Sequence, residues 1–125
     1  MDYQTFMSEV KQRTDLENDT HTEEAVKSTL QVLGRRLSGG EPSDLASQLP
    51  SGIRDFLLPA EANQSFGPEE FVQMVAEREN VNTQQAEKHI RAVLSVLSEA
   101  VSKGELDDIR SQLPENYGHL MSVAQ

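Results

Sequence analysis

The stretch Gly40-Glu41-Pro42-Ser43-Asp44-Leu45-Ala46-Ser47-Gln48-Leu49-Pro50 lies over Gly104-Glu105-Leu106-Asp107-Asp108-Ile109-Arg110-Ser111-Gln112-Leu113-Pro114 at an offset of 64, with seven of the eleven positions identical. Self-similarity at a fixed period is the signature of a chain built from repeated structural units. The register continues upstream, where Val26, Leu30, Leu33 and Leu37 fall on Ile90, Leu94, Leu97 and Val101. Further back, Phe6 and Val10 match Phe71 and Val75 at an offset of 65, so the first copy carries one extra residue between about Glu17 and Glu24. The chain therefore reads as a tandem duplication within a single domain spanning 1–125, with one repeat at 1–58, a linker at 59–65 and a second repeat at 66–125.

Both copies read as helical. The spacing of 4, 3 and 4 residues in Val26, Leu30, Leu33 and Leu37, repeated in Ile90, Leu94, Leu97 and Val101, places each set on one stripe of a helix about four turns long. Acidic residues early in this helix (Glu23, Glu24, Glu87) and basic ones late (Arg35, Arg36, Lys103) suit its dipole. Gly40 and Gly104 are expected to end it in a left-handed conformation. A shorter helix carrying Phe6 and Val10, or Phe71 and Val75, precedes it, with Asp2 as N-cap in the first copy and Gly67-Pro68-Glu69-Glu70 opening the second. Asp44 to Leu49 and Asp108 to Leu113 suggest one or two helical turns, closed by Pro50 and Pro114. A further helix would then present Ile53, Phe56 and Leu57, matched by Tyr117, Leu120 and Met121. No segment alternates apolar and polar residues long enough for a strand. The fold class is all-α: a compact bundle of six to eight helices from two pseudo-symmetric repeats.

At Gly-Glu-x-x-Asp-Leu-x-x-Gln-Leu-Pro after an amphipathic helix, the chain resembles the bacterial family DUF2267, small helical proteins of unassigned function that also look like a doubled unit. The matching residues are Leu37, Gly40, Glu41, Asp44, Leu45, Gln48, Leu49 and Pro50 in the first copy. In the second they are Val101, Gly104, Glu105, Asp108, Ile109, Gln112, Leu113 and Pro114. The resemblance covers essentially the whole chain and implies an all-α fold. It brings no activity, cofactor or catalytic residue.

The 125 residues hold 11 Lys and Arg against 21 Asp and Glu, a formal charge of −10. This acidity is divided evenly, −5 in residues 1–64 and −5 in residues 65–125, as befits the solvated surface of two similar units. It argues against nucleic acid and anionic membrane surfaces as partners. Leu, Val, Ile and Phe make up 30 of the residues, enough for a packed core. The absence of cysteine excludes disulfides, thiolate metal sites and thiol catalysis, and the N-terminus lacks the pattern of a signal peptide. No apolar run approaches the length of a membrane span. The expected location is cytoplasmic.

Glu41 with Gln48, and Glu105 with Gln112, are the polar identities that invite a functional reading, because paired copies could present two equivalent amide and carboxylate pairs. Capping of helix ends at a helix-turn-helix corner is the preferred explanation, with Asp44 and Asp108 in the same role. Asp15 to Glu24 resembles a calcium loop, but its sixth position is Thr20 rather than Gly and its twelfth is Val26 rather than Glu. His21, His89 and His119 lack zinc-binding spacing and are expected at the surface. No nucleophile elbow or phosphate-binding glycine loop is present. No catalytic, cofactor-binding or metal residue is assigned. The reading is a non-enzymatic acidic module for protein interaction, self-association or regulation, with a small-ligand site in an apolar pocket between the repeats as the alternative. Val32 and Val96, off the main stripe and matched between copies, are the first candidates for a partner surface.

Overall fold

A computed structural model describes residues 1–37, 40–57 and 65–121. Its helices are α1 (Tyr3–Gln12), α2 (Asp19–Arg36), α3 (Glu41–Ser47), α4 (Pro68–Glu79), α5 (Thr83–Ala100), α6 (Lys103–Gln112) and α7 (Gly118–Met121), with short 3₁₀ turns at Arg54–Phe56 and Glu115–Tyr117. No strand occurs among the described residues. The linker expected at 59–65 lies outside them except for Ser65, as do Ser38 and Gly39.

The helix starts follow local chemistry. The Asp2 carboxylate accepts the Thr5 N–H at 2.8 Å, Asn18 accepts that of His21 at 2.8 Å, and Asn82 accepts that of Gln85 at 2.8 Å. Each supplies an acceptor to a backbone donor that the helix cannot satisfy internally. Pro68 opens α4 behind Gly67, whose N–H donates to Glu70 Oε1. The former calcium-loop candidate is thus the α1–α2 turn, the Asn18 cap and the opening turns of α2.

The helix ends correct one expectation. Neither Gly40 nor Gly104 is left-handed: Gly40 has φ −87° and caps the start of α3, while Gly104 is the second residue of α6. α2 and α5 stop because Leu37 and Val101 turn extended, with ψ 153° and 167°, and a new helix begins almost at once. Lys103 accordingly opens α6 and does not close α5. Among the described residues, the helix that does end on a left-handed residue is α4, at Asn80 with φ 60°. The helix expected after Pro50 is a 3₁₀ turn, although Ile53 and Leu57 are buried as anticipated.

All four residues of the Val26 stripe are buried, as are Ile90, Leu94 and Leu97, while Val101 is half-buried. Phe6, Val10, Phe71 and Val75 join them in one continuous core. Full burial of such a side chain contributes about 1.5–3 kcal/mol. The two halves share this core, for α1 packs on α5, α2 on α4 and α5, and α3 on α6. Val32 and Val96, expected at the surface, are completely buried in it, because α2 and α5 are covered on more than one side. Polar ties cross between the halves as well. Arg13 donates to Ser95 Oγ at 2.6 Å and to Glu99 at 2.9 Å. Arg36 donates to the Phe66 carbonyl at 2.9 Å while lying 5.5 Å above the Tyr117 ring. Where α2 passes the 3₁₀ turn, a Cβ on Gly34 would stand 2.6 Å from the Leu57 carbonyl oxygen, so this close approach requires glycine.

Candidate functional site

The repeated motif assembles a carboxylate junction where α3 meets α6. Glu41 and Glu105 occupy the first turns of these helices, are 7% and 6% exposed, and bring their carboxyl groups together. The exposed Asp108, one turn further along α6, completes a group in which one oxygen from each residue lies within 4.8 Å of the others. Oε2 of Glu41 and Oε2 of Glu105 are buried without a hydrogen-bond partner. Burial first, then the hydrogen bond to Glu105 and the charges of Glu105, Asp108 and Asp44, push the Glu41 carboxyl up to about 8. Two carboxylates this close cannot both be ionised cheaply, so the pair holds a proton at neutral pH.

The other motif residues frame this junction. Gln48 ends α3 and its Oε1 accepts the Ser102 N–H at 2.7 Å, just where α6 begins. Gln48 thus accepts a backbone donor of the other half, not one at its own corner. Ser102 itself caps the Glu105 N–H at 3.1 Å. Gln112 is the last residue of α6, and Asp44 is exposed in the first turn of α3. Leu49 and Leu113 are buried in the core, while the carbonyls of Pro50 and Pro114 accept the Ile53 and Tyr117 N–H groups at 3.1 and 2.9 Å. The glutamates depart from the capping expectation through their burial: the chain spends its motif acids on a shared interior contact.

A second feature lies at the other end of α2 and α5, which at 18 residues each are about 27 Å long. A cleft of about 540 Å³ opens between the α1–α2 turn and the α4–α5 turn, lined on one side by Asp15, His21 and Glu24 and on the other by Glu79, Lys88 and His89. Glu79 ends α4, the left-handed Asn80 reverses the chain, and Asn82 restarts it as α5, which carries His89 two turns in. This reversal places His89 Nδ1 2.7 Å from Glu79 Oε1, with both side chains more than nine-tenths buried. Oε2 of Glu79 has no partner. At the rim Lys88 Nζ pairs with Asp15 at 2.6 Å.

His89 corrects the expectation of three surface histidines; His21 and His119 are exposed as anticipated. Its partner is ten residues away across a turn, beyond any i, i+3 or i, i+4 spacing. One signal was available: His89 stands three residues after the buried Ala86 and four before the buried Val93, on the core face of α5. Leu33 and Leu97, the positions named for an apolar pocket between the repeats, are both completely buried in the continuous core.

Fold and site together define an all-α module whose two halves share one core and meet at charged sites at either end. The family described as an uncharacterized conserved protein, DUF2267, matches residues 3–120, and the chain belongs to it. The chain matches no curated protein.

Proposed function

We propose that this protein is a non-enzymatic helical module that binds a small polar ligand bearing an amine in the cleft between its halves. The observation that carries this reading is the buried, unpartnered Oε2 of Glu79, an acceptor held in place by the His89 hydrogen bond on a residue that lines a cleft of ligand size. A buried acceptor without a donor is costly, and a ligand N–H would relieve it. The acidic side of the lining favours a cation: Lys88 is paired with Asp15 and Glu79 with His89, which among the described residues leaves Glu24 as a carboxylate without an ion pair. The lining contains no hydroxyl or thiol nucleophile, in keeping with binding without covalent chemistry.

The small-ligand reading is preferred to a protein-interaction module for a second reason. Among the described residues Met1 is the only exposed large apolar side chain, so an apolar docking patch has little to draw on. No helix among the described residues is long and apolar enough to cross a membrane.

Titration with ethanolamine and putrescine, followed by NMR of the Asn80 and Gln85 side-chain amides and the His89 ring, tests the proposal. Saturable shifts with both amines, absent with propionate and lost in Glu79→Gln, are expected. Shifts that fail to saturate, or that persist unchanged in Glu79→Gln, would overturn it.

A further inference from the structure

We propose that Glu41, Glu105 and Asp108 form a binding site for one hard divalent cation at the α3–α6 junction. Three independent features converge there. One oxygen from each residue lies within 4.8 Å of the others, a separation that lets all three reach a common ion at 2.3–2.6 Å. Two of the three side chains are more than nine-tenths buried, and each aims into this contact while retaining an oxygen with no hydrogen-bond donor. Among the described residues no ion pair is recorded for Glu41, Asp44, Glu105 or Asp108. Arg54, on the 3₁₀ turn packed on α3, donates to the Leu49 carbonyl at 3.0 Å.

Such an arrangement has charge to spare and no cation of its own. An all-oxygen donor set selects calcium, manganese or magnesium over softer metals. The exposed side at Asp108 leaves room for water to complete the coordination shell and for the ion to enter. Glu41 and Glu105 are the glutamates of the repeated motif, so each half contributes the same residue to one ion. This site is separate from the cleft at Glu79 and does not depend on ligand binding there.

The experiment is isothermal titration of the chelator-treated full chain with MnCl₂ and CaCl₂ at pH 7. One ion per chain, with a rise in melting temperature, is expected for at least one of them. Affinity should fall at least tenfold in the double variant Glu41→Gln/Glu105→Gln and measurably in Asp108→Asn, while Asp107→Asn, an exposed neighbour outside the cluster, binds as the parent does. Asp108→Asn keeps the test decisive if the double variant fails to fold. Absence of binding below 1 mM for both ions, or equal loss in Asp107→Asn and Asp108→Asn, would overturn the site in favour of a carboxyl pair that serves the proton alone or of diffuse surface binding.

Discussion

The two ends of the molecule solve opposite electrostatic problems. At the α3–α6 junction, like groups meet: Glu41 and Glu105, equivalent residues of the two halves, face each other under burial. At the cleft, unlike groups meet: His89 and Glu79 come from the second half alone, and the aligned residues of the first half are Ala25 and Thr14. The difference teaches that likeness of sequence and burial act separately. Repeating a motif around a shared interior brings identical charges together, which costs stability unless a proton or cation intervenes. Where the aligned residues differ, a complementary pair forms at Glu79 and His89 while Thr14 and Ala25 stay small.

Substitutions at the two ends should therefore move stability in opposite directions. The largest effect is expected for His89→Ala, which strands the buried Glu79 carboxylate and lowers unfolding free energy by about 3 kcal/mol in urea titration. A loss below about 1 kcal/mol would show the cleft pair to be solvated, and the contrast between the ends would collapse. Neutralising the junction should stabilise. Glu41 ordinarily titrates near 4.5 and is pushed up to about 8, so between these values the folded chain retains a proton that the unfolded chain has released. Its contribution is complete below about pH 4.5 and is lost as pH rises through 8, at no more than about 1.4 kcal/mol per pH unit. Glu105→Gln, unfolded in metal-free buffer at pH 5 and pH 8, should flatten this dependence and gain about 1.5 kcal/mol at the higher pH. An unchanged slope would assign the proton elsewhere.

Smaller effects sharpen what the motif is for. Gln48→Ala removes the acceptor of the Ser102 N–H across the two halves and should cost about 1 kcal/mol, read as a lower melting temperature. Gly104→Ala sits in the first turn of α6 with open space around the new Cβ, and should raise stability by about 0.5 kcal/mol. A loss there would restore the left-handed role that the sequence suggests for this glycine.

Much of this architecture was legible from particular residues. Val26, Leu30, Leu33 and Leu37 announce the core face of α2 because a helix brings side chains three and four apart onto one line. Asp2, and the Gly67-Pro68 opening, announce helix starts because capping is a short-range matter. Gly40 and Gly104 misled because a glycine after an amphipathic helix serves equally near the start of the next one, and only the path of the following helix separates these uses. Val32 and Val96 misled because a single stripe predicts one covered face, whereas each long helix is contacted by both halves.

What the sequence by itself determined is the set of helices, since periodicity and caps are written in local order. Only the tertiary structure decided which charges meet. Glu41 and Glu105 are 64 residues apart, and Glu79 and His89 are separated by a chain reversal. Their chemistry depends on burial and on distance in space. A carboxylate in water is an ordinary surface charge; the same group pressed against its counterpart in a shared interior must hold a proton or find a cation, and packing alone creates that demand.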